Sequence, residues 1–576
     1  MDSRIPTRVV VCDSTQSGWA SVNFKQPGPH TYGAPPPPYA PHAHAWPAPG
    51  PQYLHGQPSQ RVHGSGNGQV DRSQHGANSS SSAMSVAHLT DPASAGFVSK
   101  KPPKVPQVPQ GSRADKIDLT LDHMRRLMSH LPPLRIPAIH LAGTNGKGSV
   151  SAIIDSILTV AGLRTARYNS PHLIEPRDAV RIVGVPPPRG VYNSAFATVQ
   201  HIAAQRQIEV SPFEIATAAA YYIFATAQPP IDVMIVECGM GGVNDATNVM
   251  MPAYNLASAL TSVGLDHTTF LGDSIAKIAD QKARITVPGG LLIAAPNLHP
   301  DAIRVAHGIG YQLRAAVIEA GSTSIIEEEE RRSFSLSPFV PPRPVHVRTR
   351  IPVIMDGRLV PGEDYVATRL PLGGQHQLDN LSLAITIVHV LSHDKRALSI
   401  QPGLATINPL IIQRGVELTR WEGRCSWLQY KVPNTDKSVP ILIDGAHNAD
   451  SAKTLRAYIN DLGIPDGVKV HFIISLSASP GKSPESVLRP LLSKGDKVTL
   501  VDFTTPVEGM PWVKPASKDE VRDVVNTLIS GDASTVEQAG VEGLKHILGK
   551  VAEDELVVVC GSLYLVADIY RLASSA

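Results

Sequence analysis

The stretch Ile139-His140-Leu141-Ala142-Gly143-Thr144-Asn145-Gly146-Lys147-Gly148-Ser149-Val150 sets an apolar run, a glycine-rich turn and a helical run in immediate succession. No other feature constrains the fold as much: strand, glycine loop and helix in this order begin a parallel α/β layer and leave the loop at the carboxyl end of a strand. Glycines let backbone N–H groups turn inward around phosphate oxygens, Lys147 supplies a cation for the β/γ-phosphates of ATP, and Ser149 offers a hydroxyl to Mg²⁺. The candidate phosphate-binding residues are therefore Gly143, Thr144, Asn145, Gly146, Lys147, Gly148 and Ser149. The spelling departs from G-x-x-x-x-G-K-[ST], because the first glycine would fall on Leu141 and because Gly148 directly follows the lysine. A plain glycine-rich strand-to-helix turn stands beside the ATP reading.

The segments beyond the loop support a nucleotide-binding layer. The run VSAIIDSILTVAGL has helical spacing and ends at Gly162. Asp232-Val233-Met234-Ile235-Val236 reads as a buried parallel strand, and it delivers Glu237 to the strand end, where a Mg²⁺ ligand belongs. A capping or salt-bridged acid is the other reading of Glu237. A further strand, SALTSVG, brings Asp266-His267-Thr268 to the same sheet edge. In the C-terminal third the strands VPILID, VKVHFIISL, KVTLVDF and ELVVVCG alternate with helical segments. That is a second α/β domain, with Asp444, His447 and Ser562 at or just beyond strand ends, and two such domains facing one another would enclose a cleft.

Composition bounds what surrounds these layers. At 576 residues and 42% hydrophobic content, the chain can fill two to four domains. Lys+Arg and Asp+Glu nearly balance at 52 and 50, so no nucleic-acid partner is expected. The four cysteines, Cys12, Cys238, Cys425 and Cys560, lack the spacing of a zinc site or a disulfide framework, which points to a reducing compartment. No apolar stretch approaches the ~18–20 residues that cross a bilayer, so no membrane association is expected. Residues 27–109 are crowded with Pro, Gly, Ser, His and Gln and read as a disordered tail. A mitochondrial transit peptide is opposed by Asp2 and Asp13, leaving a cytoplasmic location as the expectation and mitochondria as the alternative. The segment from Ile325 to Arg350, with Glu327-Glu328-Glu329-Glu330, reads as a solvated surface insertion. The expected division is a tail at 1–112, an ATP-binding domain at 113–412 with the insertion at about 322–350, and a Rossmann-like domain at 413–576.

Taken in order, AGTNGKGS (142–149), SPHL (170–173), SPFEIAT (211–217), VECGMGGVNDATNV (236–249), GLDHTTFLGDSIAKIADQKA (264–283), GGQHQLDN (373–380), WEGR (421–424), DGAHN (444–448) and GSLYL (561–565) resemble the folylpolyglutamate synthase and dihydrofolate synthase family, within the Mur ligase group. The resemblance covers roughly residues 114–576 and explains Gly148, since that family spells its own loop GTNGKGS. It implies a P-loop domain of the Mur ligase type and an ATP-dependent amide ligase, in which a pterin substrate's carboxylate is phosphorylated and the acyl phosphate is attacked by L-glutamate. Two Mg²⁺ ions are implied, held by Ser149, Glu237, His267 and a carbamylated Lys282; by itself, the lysine in IADQKARI reads as a solvated helix charge. The resemblance further assigns His376, Asn380, Arg424 and Asp444 to the nucleotide, and His447 and Ser562 to glutamate. Lys147, Lys282, His267 and Arg424 would be the catalytic set.

Three positions depart from the pattern: Ala179 stands where an arginine is usual, Val243 where Arg or Glu is, and Arg284 where a glycine is. Dihydrofolate synthase is the preferred activity, with folylpolyglutamate synthase or a bifunctional enzyme as alternatives. A nucleotide-binding scaffold that has lost catalysis is the reading from another class. A monomer acting on small molecules is expected.

Overall fold

The computed structural model describes residues 120–575 apart from 327–333, 337, 356–357 and 479–482. The expected tail at 1–112 and the Glu327–Glu330 run lie outside the described residues. All described residues belong to one compact unit.

The first sheet comprises β1 (Ala138–Ala142), β2 (Thr165–Tyr168), β3 (Val180–Ile182), β4 (Val233–Glu237), β5 (Asn255–Leu260), β6 (Leu291–Ala294) and β7 (Ala316–Glu319). Their order is β3-β2-β4-β1-β5-β6-β7, with β2–β3 antiparallel and every other pair parallel. β1, β4 and β5 are buried along their whole length, which is why they read as unbroken apolar runs. The chain leaves β1 toward β2 and later returns on the other side to β5, so the order reverses around β1. In an open α/β sheet, a crevice forms at such a reversal, outside the carboxyl ends of the strands.

Next come β8 (Thr323–Ile325), β9 (Ser335–Leu336), β10 (Phe339–Val340), β11 (Val345–Met355) and β12 (Arg358–Leu370). Strands β8, β11 and β12 form an antiparallel sheet in the order β12-β11-β8. This sheet corrects the expectation of a solvated insertion at 322–350. Val347 and Ile351 of β11 are buried in the same core as the helix His376–Leu391, and Phe334 is buried with its ring 5.3 Å from that of Trp427. The alternation Val-His-Val-Arg-Thr-Arg-Ile from Val345 to Ile351 puts one face of β11 into the core and leaves arginines on the other.

The C-terminal sheet is built from β13 (Ser426–Lys431), β14 (Ser438–Ile443), β15 (Lys469–Ile474), β16 (Lys497–Leu500), β17 (Ser534–Thr535) and β18 (Glu555–Cys560), ordered β13-β14-β18-β15-β16-β17. Only β13 runs antiparallel to its neighbour. A boundary at 412/413 is also corrected: it falls inside the helix Pro409–Leu418, whose Ile412 and Val416 pack in the first core. The change of core therefore comes after Leu418. No helix among the described residues is long and apolar enough to cross a membrane.

Candidate active site

β1 ends at Ala142, and the chain turns through Gly143–Gly146 into the helix Lys147–Val160. Gly146 sits at φ +91°, and a β-carbon there would lie 2.3 Å from Asn380 Oδ1, so both backbone and space require glycine. The loop is tied to the strand end beyond β5: Thr144 N–H donates to Ser262 O (2.7 Å), Asn145 N–H to Ser262 Oγ (2.8 Å), and Thr261 Oγ1–H to Asn145 O (2.7 Å). Thr144 and Asn145, expected at the phosphates, therefore use their amides to hold the loop in place. The amides at the start of the helix lack intrahelical acceptors by geometry and form the anion-binding end.

Lys147 Nζ folds back onto the loop, donating to Gly143 O (3.1 Å) and Thr144 O (3.2 Å), and lies 3.7 Å from Glu237 Oε1. Glu237 ends β4 and is buried; its Oε2 accepts from Asn169 Nδ2 at 2.7 Å. Burial pushes its carboxyl above the usual range, while Lys147 and the Asn169 hydrogen bond pull the other way. Ser149 Oγ is met by Gln377 Nε2 at 3.2 Å, and Gln377 Oε1 by Asn380 Nδ2 at 2.9 Å, so the start of the helix His376–Leu391 braces the phosphate loop. Nearby, His376 Nδ1 is buried without a partner among the described residues, and burial, with Arg424 adding, lowers the imidazole pKa to about 4.

Lys282 is no solvated helix charge. It is 3% exposed and donates to Gly143 O at 2.9 Å; burial, helped by Lys147, lowers its pKa to about 7. The loop after Glu237 packs on the same helix: Val243 N–H donates to Gln281 O at 2.9 Å, and a β-carbon at Gly242 would be 2.6 Å from that oxygen. His267 opens the short helix Thr268–Leu271 at φ +52° and is exposed, with Nε2 3.9 Å from Asp266 Oδ2. Among the described residues no three His, Cys, Asp or Glu side chains converge as a metal cradle. The expected set contributes only Glu237 and His267 of those types, so an anionic oxygen gained by Lys282 is what would complete it.

From the turn that leads into β13, Arg424 enters an open cleft lined also by Gly148, Asn169, Ser170, Glu237 and Trp421. Two of these residues, Ser170 and Trp421, open the motifs SPHL and WEGR but were given no role of their own from the sequence. Ser170 Oγ is buried with no partner among the described residues, and Trp421 packs so closely that a β-carbon on Gly148 would lie 2.6 Å from its ring. Arg181 lines the cleft too, so Ala179 does not leave this wall without a guanidinium. His447 Nδ1 contacts Gly445 O at 2.9 Å, and the adjacent Asn448 reaches Asn145 Oδ1 (3.4 Å) in the phosphate loop and Asp266 Oδ2 (3.5 Å). Of the expected site residues Gly148, Glu237 and Arg424 line the cleft itself, while Lys147, Ser149, His267, Lys282, His376, Asn380, Asp444, His447 and Ser562 do not.

Two of the expected residues are buried and engaged within the protein. Asp444, assigned to the nucleotide, is 6% exposed, and its Oδ2 accepts the Cys425 N–H at 2.8 Å. Ser562, assigned to glutamate, is 2% exposed, and its Oγ accepts from Leu565 N–H at 3.3 Å, capping the last helix.

Residues 426–572 match the family model described as dihydrofolate synthetase, C-terminal domain. The chain is 29% identical over 461 residues to a probable dihydrofolate synthetase of Schizosaccharomyces pombe, covering 79% of this chain and 98% of that one. It is 27% identical over 471 residues to the dihydrofolate synthetase of Saccharomyces cerevisiae, covering 80% and 99%. Among solved structures, Mycobacterium tuberculosis folylpolyglutamate synthase complexed with ADP and AMPPCP superposes with a TM-score of 0.62 at 23% identity, over 79% of this chain and 95% of that one, a likeness of fold. Full-length relatives, a matching C-terminal domain and a shared fold agree with the nine ordered motifs: the chain belongs to the folylpolyglutamate synthase and dihydrofolate synthase family.

Proposed function

We propose that the protein is an ATP-dependent ligase that joins L-glutamate to the carboxylate of dihydropteroate, giving dihydrofolate, ADP and phosphate. One observation carries this reading: the start of the phosphate-loop helix, the strand-end acid Glu237 and Arg424 from the other sheet meet on a single cleft. A nucleotide needs the first two, whereas joining it to a second substrate needs a cation from the opposite side.

In the proposed reaction the dihydropteroate carboxylate takes the γ-phosphoryl of ATP, forming an acyl phosphate and releasing ADP. The glutamate amine then attacks the acyl carbon; phosphate leaves and the nitrogen loses a proton. Phosphoryl transfer asks a protein chiefly for positioning and for cations where negative charge gathers. Lys147, now held by two loop carbonyls, would exchange them for β/γ-phosphate oxygens, and Arg424 would present a planar fork to the transferring group. Gln377 and Asn380 brace the loop beside the nucleotide, His376 would face the nucleotide itself, and His447 would serve the glutamate side.

Magnesium, when bound, screens the repulsion between the incoming carboxylate and the triphosphate. Glu237 and a serine hydroxyl would hold one ion. Ser149 is already met by Gln377, whereas Ser170 Oγ is buried and unpartnered among the described residues, so Ser170 joins Ser149 as a candidate. A second ion would need His267 and Lys282. With its pKa near 7, Lys282 has a substantial neutral fraction, the form that adds CO₂ to give a carbamate and a proton. The protein is proposed to act as a cytoplasmic monomer.

Purified protein with Mg-ATP and L-glutamate should release ADP and form product with dihydropteroate. Turnover with tetrahydrofolate alone would reassign it to folylpolyglutamate synthesis. Nucleotide binding without product in either mixture would leave the scaffold reading. Stripping CO₂ from the buffer should lower the rate, and bicarbonate should restore it.

A further inference from the structure

The turn that presents Arg424 is held in a conformation most residues avoid. Cys425, directly after it, sits at φ +44°, in the left-handed region where a β-carbon crowds its own backbone. Nothing local favours this in a cysteine, so the surroundings must hold it. Asp444 Oδ2 accepts the Cys425 N–H at 2.8 Å and lies 3.5 Å from its Sγ. Before the arginine, Gly423 N–H donates to Tyr570 OH (3.1 Å) and Ser426 Oγ (3.0 Å). Gly423 O accepts from Gly445 N–H (2.9 Å) and from Arg424 Nη1 (2.8 Å). Arg424 in turn lies across Gly445, where a β-carbon would stand 2.6 Å from Nη1.

We propose that Asp444 is a positioning residue: its buried carboxylate fixes Cys425 in the left-handed conformation and thereby aims Arg424 into the cleft. The Asp-Gly pair at 444–445 then has two linked tasks, the aspartate holding the turn and the glycine leaving room for the guanidinium. Without the carboxylate, Cys425 relaxes to negative φ, the peptide joining it to Arg424 swings, and the guanidinium leaves the cleft. This inference rests on the ligase reading for its kinetic readout alone.

The test is a double-mutant cycle in the full chain, because only glycine occupies φ +44° without a β-carbon penalty. Asp444→Ala should lower kcat about tenfold or more while the KM for ATP stays within about twofold. Adding Cys425→Gly should restore at least about a third of the lost kcat. A tenfold rise in the KM for ATP that glycine does not rescue would overturn the proposal in favour of a direct nucleotide contact. Should Asp444→Ala fail to fold by circular dichroism, Asp444→Asn keeps an acceptor for the Cys425 N–H and should retain most of the activity; a loss as large as that of Arg424→Ala would overturn the proposal. A wild type without turnover sinks the ligase reading, and the same cycle is then read in Tm. There Cys425→Gly should recover part of the stability lost in Asp444→Ala, and strictly additive shifts would overturn the clamp.

Discussion

A methyl group on Gly148 would meet the ring of Trp421 at 2.6 Å, and that ring also takes the Arg167 guanidinium, 4.7 Å from its centroid. Arg167 is 3% exposed and lies 3.4 Å from the buried Asp155, so the ring has little freedom to retreat. Gly148→Ala therefore overpacks the start of the phosphate-loop helix, at about 1–3 kcal/mol. In steady-state kinetics kcat/KM for ATP should fall about tenfold or more; an unchanged value would mean that the ring yields. Lys282 gives a second prediction. Its folded pKa near 7, against an ordinary 10.5, means the unfolded chain binds more protons between those values, so stability rises with pH across that window. In CO₂-free buffer without Mg²⁺, the Tm of wild type relative to Lys282→Met should climb from pH 7 to 9.5, and a flat difference would rule it out. The sequence showed residue types but not where side chains point. Lys147 and Glu237 could be placed from the sequence because a loop and a strand end dictate where they stand, whereas Arg424 was marked only by the resemblance. The inward turn of Asp444 and Ser562, the burial of Lys282 and the unmet hydroxyl of Ser170 depend on what packs over them, which no local pattern records.

At the scale of elements, the helix Lys147–Val160 is clamped by the helix Pro409–Leu418. A β-carbon on Gly415 would lie 2.5 Å from Ile157 Cα, and Ser156 Oγ–H donates to Gly415 O at 2.6 Å. Two effects oppose each other in Gly415→Ala. Helix propensity would favour alanine by about 0.8–1 kcal/mol, while forcing two backbones apart costs about 1–3 kcal/mol. Backbone cannot swing aside as a side chain can, so packing wins: chemical denaturation should show a net loss, and a gain would mean the helices separate freely. This contact also explains why a boundary at 412/413 was unworkable, since the helix belongs to the layer it braces. The parallel strands were readable because burial on both faces makes them continuous apolar runs. β11 was not, because its exposed face carries arginines, Pro344 precedes it and Pro352 interrupts it, and β13 was missed as a half-exposed edge strand with the mixed sequence SWLQYK.

For the whole molecule, the polar contacts that join the two larger sheets among the described residues are mostly long, with Leu173 adding an apolar one where it packs against the C-terminal core. Asn448 reaches Asn145 and Asp266 at 3.4 and 3.5 Å, Arg181 lies 3.8 Å from Glu422, and Arg571 Nη2 donates to Ile174 O at 2.7 Å. Pairs of this kind contribute little individually. The apolar cores on either side are separate clusters, with Phe334 as a residue of the intervening segment buried in the C-terminal one. A nucleotide gripped by Lys147 on one side and Arg424 on the other would add a link stronger than any of these. Scanning calorimetry should then resolve two transitions in the absence of ligand. A magnesium complex of a non-hydrolysable ATP analogue at about 100 times its Kd should stabilise the phosphate-loop half by about 2.7 kcal/mol and draw the second transition up with it. Arg424→Ala should keep the first shift and lose the second, because the link to the C-terminal sheet is what it removes. If the second transition moves equally in the variant, the halves are coupled through protein contacts alone, and Arg424 does not bridge the cleft.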